Sequence, residues 1–93
     1  STVKAAPPAD AQKWEYAVMV YTAKKGEVTI AMLDNDEASE INDFFAALRE
    51  SIGADKIPAI YYADVMGRYA WELVTHELDS SGEVFYFKRI ISS

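Results

Sequence analysis

The chain has 93 residues and a formal net charge of −6, and 51% of its residues are hydrophobic. A chain of this length forms one domain, and its apolar content is sufficient for a core. It contains no cysteine, which excludes disulfides, thiol catalysis and cysteine-ligated metal sites but does not fix the compartment. No apolar run of about 18 residues is present that could span a membrane.

The beginning of the chain differs in composition from the rest. Residues 1–12 include two prolines and show no apolar period, so we predict a flexible tail followed by a single domain over residues 13–93. No secretory signal pattern opens the chain, although a signal removed before Ser1 is left open. We expect a soluble, cytoplasmic protein.

Two strands are expected to open the domain. Aromatic and β-branched side chains fill residues 14–21, and Val28, Ile30 and Met32 share one face of residues 28–33, which favours strands in both segments. The short polar link around Gly26 predicts an antiparallel hairpin. The period of two places four apolar residues of the first strand on one face: Trp14, Tyr16, Val18 and Val20.

Two helices are expected to follow. Residues 34–37 provide an N-cap and acidic first-turn residues, and Gly53 is a plausible end for the first helix. The apolar positions of that helix have the spacing of a buried stripe, namely Ile41, Phe44, Phe45 and Leu48. A second helix is predicted from Pro58 to Gly67. We predict that Phe44, Leu48 and Trp71 lie in the core.

Two further strands are predicted at residues 70–78 and 83–91, separated by a polar turn. The element order is therefore β-β-α-α-β-β. This order predicts an α+β fold, in which a four-stranded antiparallel sheet carries both helices on one face. The other face of the sheet would be exposed unless a second copy, a curled sheet or the tail covers it.

Three short motifs resemble one family. The motifs of the small bacterial domain-of-unknown-function family 4177 are similar to three segments of this chain: Trp14-Glu15-Tyr16, Met66-Gly67-Arg68-Tyr69-Ala70-Trp71-Glu72-Leu73-Val74 and Phe87-Lys88-Arg89. The resemblance covers the first strand and roughly residues 58–90. Ala70 stands where that family usually has glycine before the tryptophan. The resemblance implies the fold but no established activity.

The sequence offers few catalytic candidates. His76 is the only histidine, and Glu72 shares its strand face if the alternation is regular. Because no nucleophile, base and orienting group occur together, we expect His76 to be a surface residue and the protein not to be an enzyme. Glu15 and Glu72 each follow a tryptophan and could converge as an acid/base pair, but cross-strand pairing with Lys88 and Arg89 is the more economical interpretation.

Metal and cofactor sites are not expected. Asp34 and Asp36 begin a calcium-loop pattern, but Ala38 and Phe45 occupy positions that require oxygen ligands. A capped, acidic helix start explains the two aspartates better. The glycines are scattered singly, so no phosphate-binding loop is present. We therefore predict no cofactor and no metal.

The charge distribution bears on partners. Residues 34–55 hold seven acidic side chains against one arginine, a balance of −6 that equals the net charge of the chain. Such acidity disfavours nucleic-acid binding, and no membrane partner is expected.

Four hypotheses about function remain, of which the weakest is a hydrolase that uses His76 and Glu72. The first is a non-enzymatic interaction module that self-associates through its sheet, most simply as a homodimer. The alternatives are a domain that binds a small apolar or aromatic ligand, and an acidic nucleic-acid mimic or regulator of a basic partner protein. Four aromatic residues are candidates for interface or ligand contact: Tyr21, Tyr61, Tyr86 and Trp71.

Overall fold

A computed structural model describes residues 11–22, 26–80 and 82–91 of the chain. These residues form an α+β domain with a four-stranded antiparallel sheet of order β2-β1-β4-β3 and two helices. The strands are β1 (Trp14–Thr22), β2 (Glu27–Ala31), β3 (Glu72–Asp79) and β4 (Gly82–Ile90), and the helices are α1 (Asn35–Ile52) and α2 (Ala59–Arg68). The predicted fold class and element order are thereby confirmed. Of the predicted tail, residues 1–10 lie outside the described part.

The sheet is built from two hairpins whose long strands pair at its centre. Strand β1 pairs with β2 on one side and with β4 on the other, and β3 pairs only with β4. The chain leaves the β2 edge, passes through both helices and returns at the β3 edge. A single connection that crosses the sheet in this way places both helices on the same face.

Helix α1 is capped at both ends as the sequence predicts. The Asp34 carboxylate accepts hydrogen bonds from the backbone N–H groups of Asp36 and Glu37, both at 3.1 Å. At the other end, the Gly53 N–H donates to the Arg49 carbonyl at 2.8 Å, and Gly53 has a φ of 104°. These contacts satisfy terminal backbone groups that a helix leaves unpaired. Among the described residues, neither helix is long and apolar enough to cross a membrane.

Helix α2 ends one residue beyond Gly67, and strand β3 begins two residues later than the sequence predicts. The Trp71 N–H donates to the Met66 carbonyl at 3.1 Å, and the Ala70 N–H donates to the Gly67 carbonyl at 3.0 Å. This pair of bonds is a Schellman motif, which requires a left-handed residue after the helix. Ala70 fills that position with a φ of 71° and is the only described non-glycine residue with positive φ.

The core lies between the helices and one face of the sheet. Fourteen hydrophobic residues of the described ranges are buried there, and the fully buried Tyr62 ring meets Phe45 edge-on at 5.0 Å between centroids. Burial of each large apolar side chain contributes about 1.5–3 kcal/mol. The buried set is Ala17, Met19, Val28, Ile30, Ala38, Ile41, Phe45, Ile57, Tyr62, Val65, Met66, Trp71, Phe85 and Phe87.

One predicted core residue lies elsewhere. Trp71 is buried as predicted and Leu48 is half-buried against the core, but Phe44 is 40% exposed, so its assignment to the core is wrong. The apolar stripe of α1 is wider than the arc that a helix can bury against a sheet. Ile41 and Phe45 occupy the middle of that arc. Phe44 instead lies at the edge of the buried arc of α1, in a groove between α1 and α2.

Candidate functional site: the open face of the sheet

The sheet face opposite the helices, called the open face below, is apolar at its centre. The strand registers and the alternation of side chains place Val18 opposite Tyr86 and Val20 opposite Val84 on this face. Both helices pack against the other face, where the buried strand residues lie. The central strands contribute eight residues to the open face: Trp14, Tyr16, Val18, Val20, Val84, Tyr86, Lys88 and Ile90.

Large apolar side chains of the open face are exposed. Tyr16 is 62% exposed, Ile90 52% and Trp14 38%, all at one end of the central strands. Val18 and Tyr86 at the centre are half-buried by their neighbours within the sheet. An isolated exposed apolar residue is normal, but a contiguous apolar patch on a small domain marks an interaction surface.

Charged groups of this face lie along the β3 edge and near one end of the central strand β4. The register places Glu72 and Glu77 along the β3 edge, and Lys88 lies over the Trp14 ring with its Nζ 4.4 Å from the centroid. The Tyr86 hydroxyl donates a long hydrogen bond of 3.5 Å to Glu77. An apolar, aromatic centre with a charged margin is the usual anatomy of a protein–protein interface.

The carboxylates that could have formed an acid/base pair lie on opposite faces. Glu15 is on the helix side, where Arg89 Nε donates to it at 3.1 Å, and Glu72 is on the open face opposite Lys88. The cross-strand interpretation is therefore correct for Glu15. For Glu72, the strand register places the predicted partner Lys88 directly across on β4.

His76 has a different partner from the one its spacing suggests. A register shift between Leu73 and Thr75 turns Glu72 to the open face, whereas His76 lies on the helix side. There the His76 ring stacks on Phe85 at 4.4 Å, and its Nε2 is 2.9 Å from Glu83. Because a carboxylate only accepts, His76 donates this hydrogen bond. No third group completes a catalytic set in the described contacts.

Arg89 joins four elements of the fold. Its guanidinium donates to both carboxylate oxygens of Glu37, at 2.7 and 2.5 Å, to Glu15 at 3.1 Å and to the Tyr69 carbonyl at 2.8 Å, and it lies 4.0 Å from the Trp71 ring centroid. Hydrogen bonds to Glu37, and secondarily to Glu15, raise the pKa of Arg89 above its ordinary value despite desolvation. Four of its five N–H donors are used, so the cluster stabilises the fold and leaves little for a ligand.

The sequence did not predict the partnership of Arg89 with Glu37. The two residues are 52 positions apart, and Glu37 reads locally as a first-turn residue that complements the helix dipole. The other acidic side chains of residues 34–55 are exposed. No group of acidic and histidine residues in the described ranges could hold a metal ion. Asp34 caps α1, as described above.

The four predicted contact residues are dispersed. Tyr86 lies on the open face, and Tyr61, 54% exposed, lies on α2 in the groove with Phe44. Tyr21 lies on the helix side, where its ring is 5.9 Å from that of Tyr62. Trp71 is 3% exposed beneath Arg89. Their role in binding stays a prediction, and only Tyr86 belongs to the open face.

Comparison with protein-family models, with curated proteins and with solved structures gives no match to this chain. The resemblance to family 4177 accordingly stays a prediction from short motifs. The geometry of the open face therefore carries the proposal about function.

Proposed function

We propose that this protein is a non-enzymatic interaction module that forms a homodimer through the open face of its sheet. The observation that supports the proposal is the apolar centre of that face, built from adjacent valines and tyrosines of β1 and β4, on which neither α1 nor α2 packs. A two-fold contact is self-complementary, so one apolar patch suffices for both protomers. The domain is also small, and small domains gain stability from association.

The size of the face suits a dimer of modest affinity. The central strands have nine residues each, and at about 3.3 Å per residue and about 4.8 Å per strand the four strands give a face of at most roughly 30 by 19 Å. Such a face buries less than the roughly 800 Å² per partner of a standard interface, which is the range of weak and transient complexes. We therefore expect a reversible, concentration-dependent dimer rather than an obligate one.

Two tyrosine substitutions test the proposal with a matched control. Tyr16 and Tyr61 are 62% and 54% exposed, but Tyr16 lies on the open face and Tyr61 on α2. In a two-fold dimer, Tyr16→Arg places one arginine from each protomer at the interface. We expect the repulsion between the two positive charges to weaken the dimer at least about tenfold. Tyr61→Arg adds the same charge outside the interface and should leave the dimer unchanged. Sedimentation equilibrium across micromolar to millimolar concentrations measures both.

Two outcomes would contradict the proposal. The wild-type protein could keep the monomer mass of 10.4 kDa at every concentration. Alternatively, Tyr61→Arg could dissociate the dimer while Tyr16→Arg leaves it intact, which would move the interface to the helical layer. Circular dichroism of both variants shows that each is folded before its mass is interpreted.

A further inference from the structure

A groove runs along the helix side of the sheet between α2 and strand β3, called the α2–β3 groove below. It consists of two adjoining cavities, of about 270 and 220 Å³, which share Ile60 and Leu73 as walls. Phe85 and Phe87, neighbours on the same face of β4 with ring centroids 6.4 Å apart, lie one in each cavity. The shared walls and adjacent floor residues make the two cavities one continuous groove.

The groove exists because the helical layer does not reach the edge of the sheet. Helix α2 has ten residues, and every residue of β3 is exposed. Ile60 and Leu73 face the groove while 63% and 46% exposed. Gly67 has no side chain to fill this space, and a Cβ added there would meet no atom within 4 Å. An apolar cleft thus stays open beside a packed core.

The polar groups of the groove are at its two ends. At one end the Glu83 carboxylate accepts the hydrogen bond from His76, and at the other Asp64 is paired with Arg68 at 3.5 Å. Among the described residues, the side chains that line the groove include two carboxylates and no lysine or arginine, since Arg68 itself lies outside the lining. This distribution disfavours an anion and complements a cation.

We propose that the α2–β3 groove binds a small molecule with an aromatic or aliphatic body and a protonated amine. The body lies against Phe85, Phe87 and the walls, and the ammonium group donates to the Glu83 carboxylate beside His76. Together the cavities fall within the roughly 300–1,000 Å³ of small-molecule sites, which combine an apolar lining with a few polar groups. Glu83 has a second carboxylate oxygen that is not engaged by His76 and can accept from the ligand.

Binding can be tested with a pair of probes that have the same aromatic body and similar length but opposite charge. We would titrate ¹⁵N-labelled protein with 4-phenylbutylamine and with 4-phenylbutyrate, following amide chemical shifts. The amine should shift the amides of Ile60, Gly67, Leu73 and His76, with an affinity about tenfold or more above that of the carboxylate, as expected for one hydrogen bond between charged groups. Equal affinity of the two probes, or shifts confined to residues outside the groove, would overturn the proposal.

A substitution assigns the charge preference to one residue. Glu83→Gln keeps the shape and the contact with His76 but removes the negative charge, so the affinity for the amine should fall about tenfold. Glu50→Gln is the control, because Glu50 is exposed on α1 and has no described ion pair or hydrogen bond. If both variants bind the amine as the wild type does, Glu83 is not the recognition group and the proposal is wrong.

This site is independent of the proposed dimer. The groove and the open face lie on opposite sides of the sheet, so Tyr16→Arg should leave amine binding unchanged while it weakens association. Loss of groove shifts in a folded Tyr16→Arg protein would contradict the separation of the two sites.

Discussion

Ala70→Gly should stabilise the protein, because Ala70 occupies a backbone conformation that suits glycine. Its φ of 71° lies in the left-handed region, which costs a non-glycine residue about 1–2 kcal/mol. Glycine loses more backbone entropy on folding, an opposing effect of about 0.4–1 kcal/mol. Ala70 is exposed, so its methyl group contributes little packing. We expect a net gain of about 0.5–1 kcal/mol in the free energy of unfolding.

Urea and thermal unfolding measure this gain. For a domain of this size, 1 kcal/mol corresponds to about 4–8 °C in Tm, so Tm should rise by about 2–8 °C. The urea midpoint should rise with an unchanged slope, since the folded and unfolded surfaces are the same. Both transitions can be followed by far-ultraviolet circular dichroism.

Ala46→Gly is the matched control. Ala46 is exposed in the interior of α1, where glycine costs about 1 kcal/mol relative to alanine. The two variants make the same chemical change and should shift stability in opposite directions. If Ala70→Gly destabilises the protein as much as Ala46→Gly does, the left-handed turn after α2 is not strained and the reasoning fails.

Four further predictions follow from the packing, each measured by urea denaturation. Phe45→Ala should lower the free energy of unfolding by about 3–5 kcal/mol, because Phe45 is fully buried. Phe44→Ala should lower it by at most about half as much, and equal losses would contradict the packing of α1. Gly82→Ala should cost about 1–3 kcal/mol, because its Cβ would clash with a β1 carbonyl oxygen. Gly67→Ala should instead gain about 0.5–1 kcal/mol within α2, and a loss there would refute the open space assigned to it. Arg89→Lys should cost about 1–3 kcal/mol, because lysine cannot make the bidentate contact with α1; a cost under about 0.5 kcal/mol would show that the cluster is not stabilising.

Part of the candidate site could be predicted from local spacing. The alternation in β1 groups Trp14, Tyr16 and Val18 on one face, and the structure keeps them together on the open face. The spacing did not determine which face the helices cover, because the alternate residues Ala17 and Met19 are apolar as well. Only the packing of α1 and α2 decided between the two sets.

The surroundings of His76 show a second limit. A regular strand would place Glu72 and His76 on one face, but a bulge between them reverses the relation. A bulge inserts one extra residue into a strand, and no distinctive sequence marks its position. Counting alternate residues across a bulge therefore assigns the residues beyond it to the wrong face. Glu83 reaches His76 from the neighbouring strand through a pairing register that the turn and both strands set together.

The sequence by itself determined the features that depend on near neighbours. The order of the elements, the Asp34 cap, the Gly53 stop and the antiparallel hairpins all follow from residues a few positions apart. The tertiary structure alone decided which sheet face is open, that Phe44 lies outside the core, and that Arg89 binds Glu37. These features depend on how far a helix reaches across a sheet and on contacts between residues distant in the chain. Local propensity contains no information about such contacts, because their energies arise only when the elements pack together.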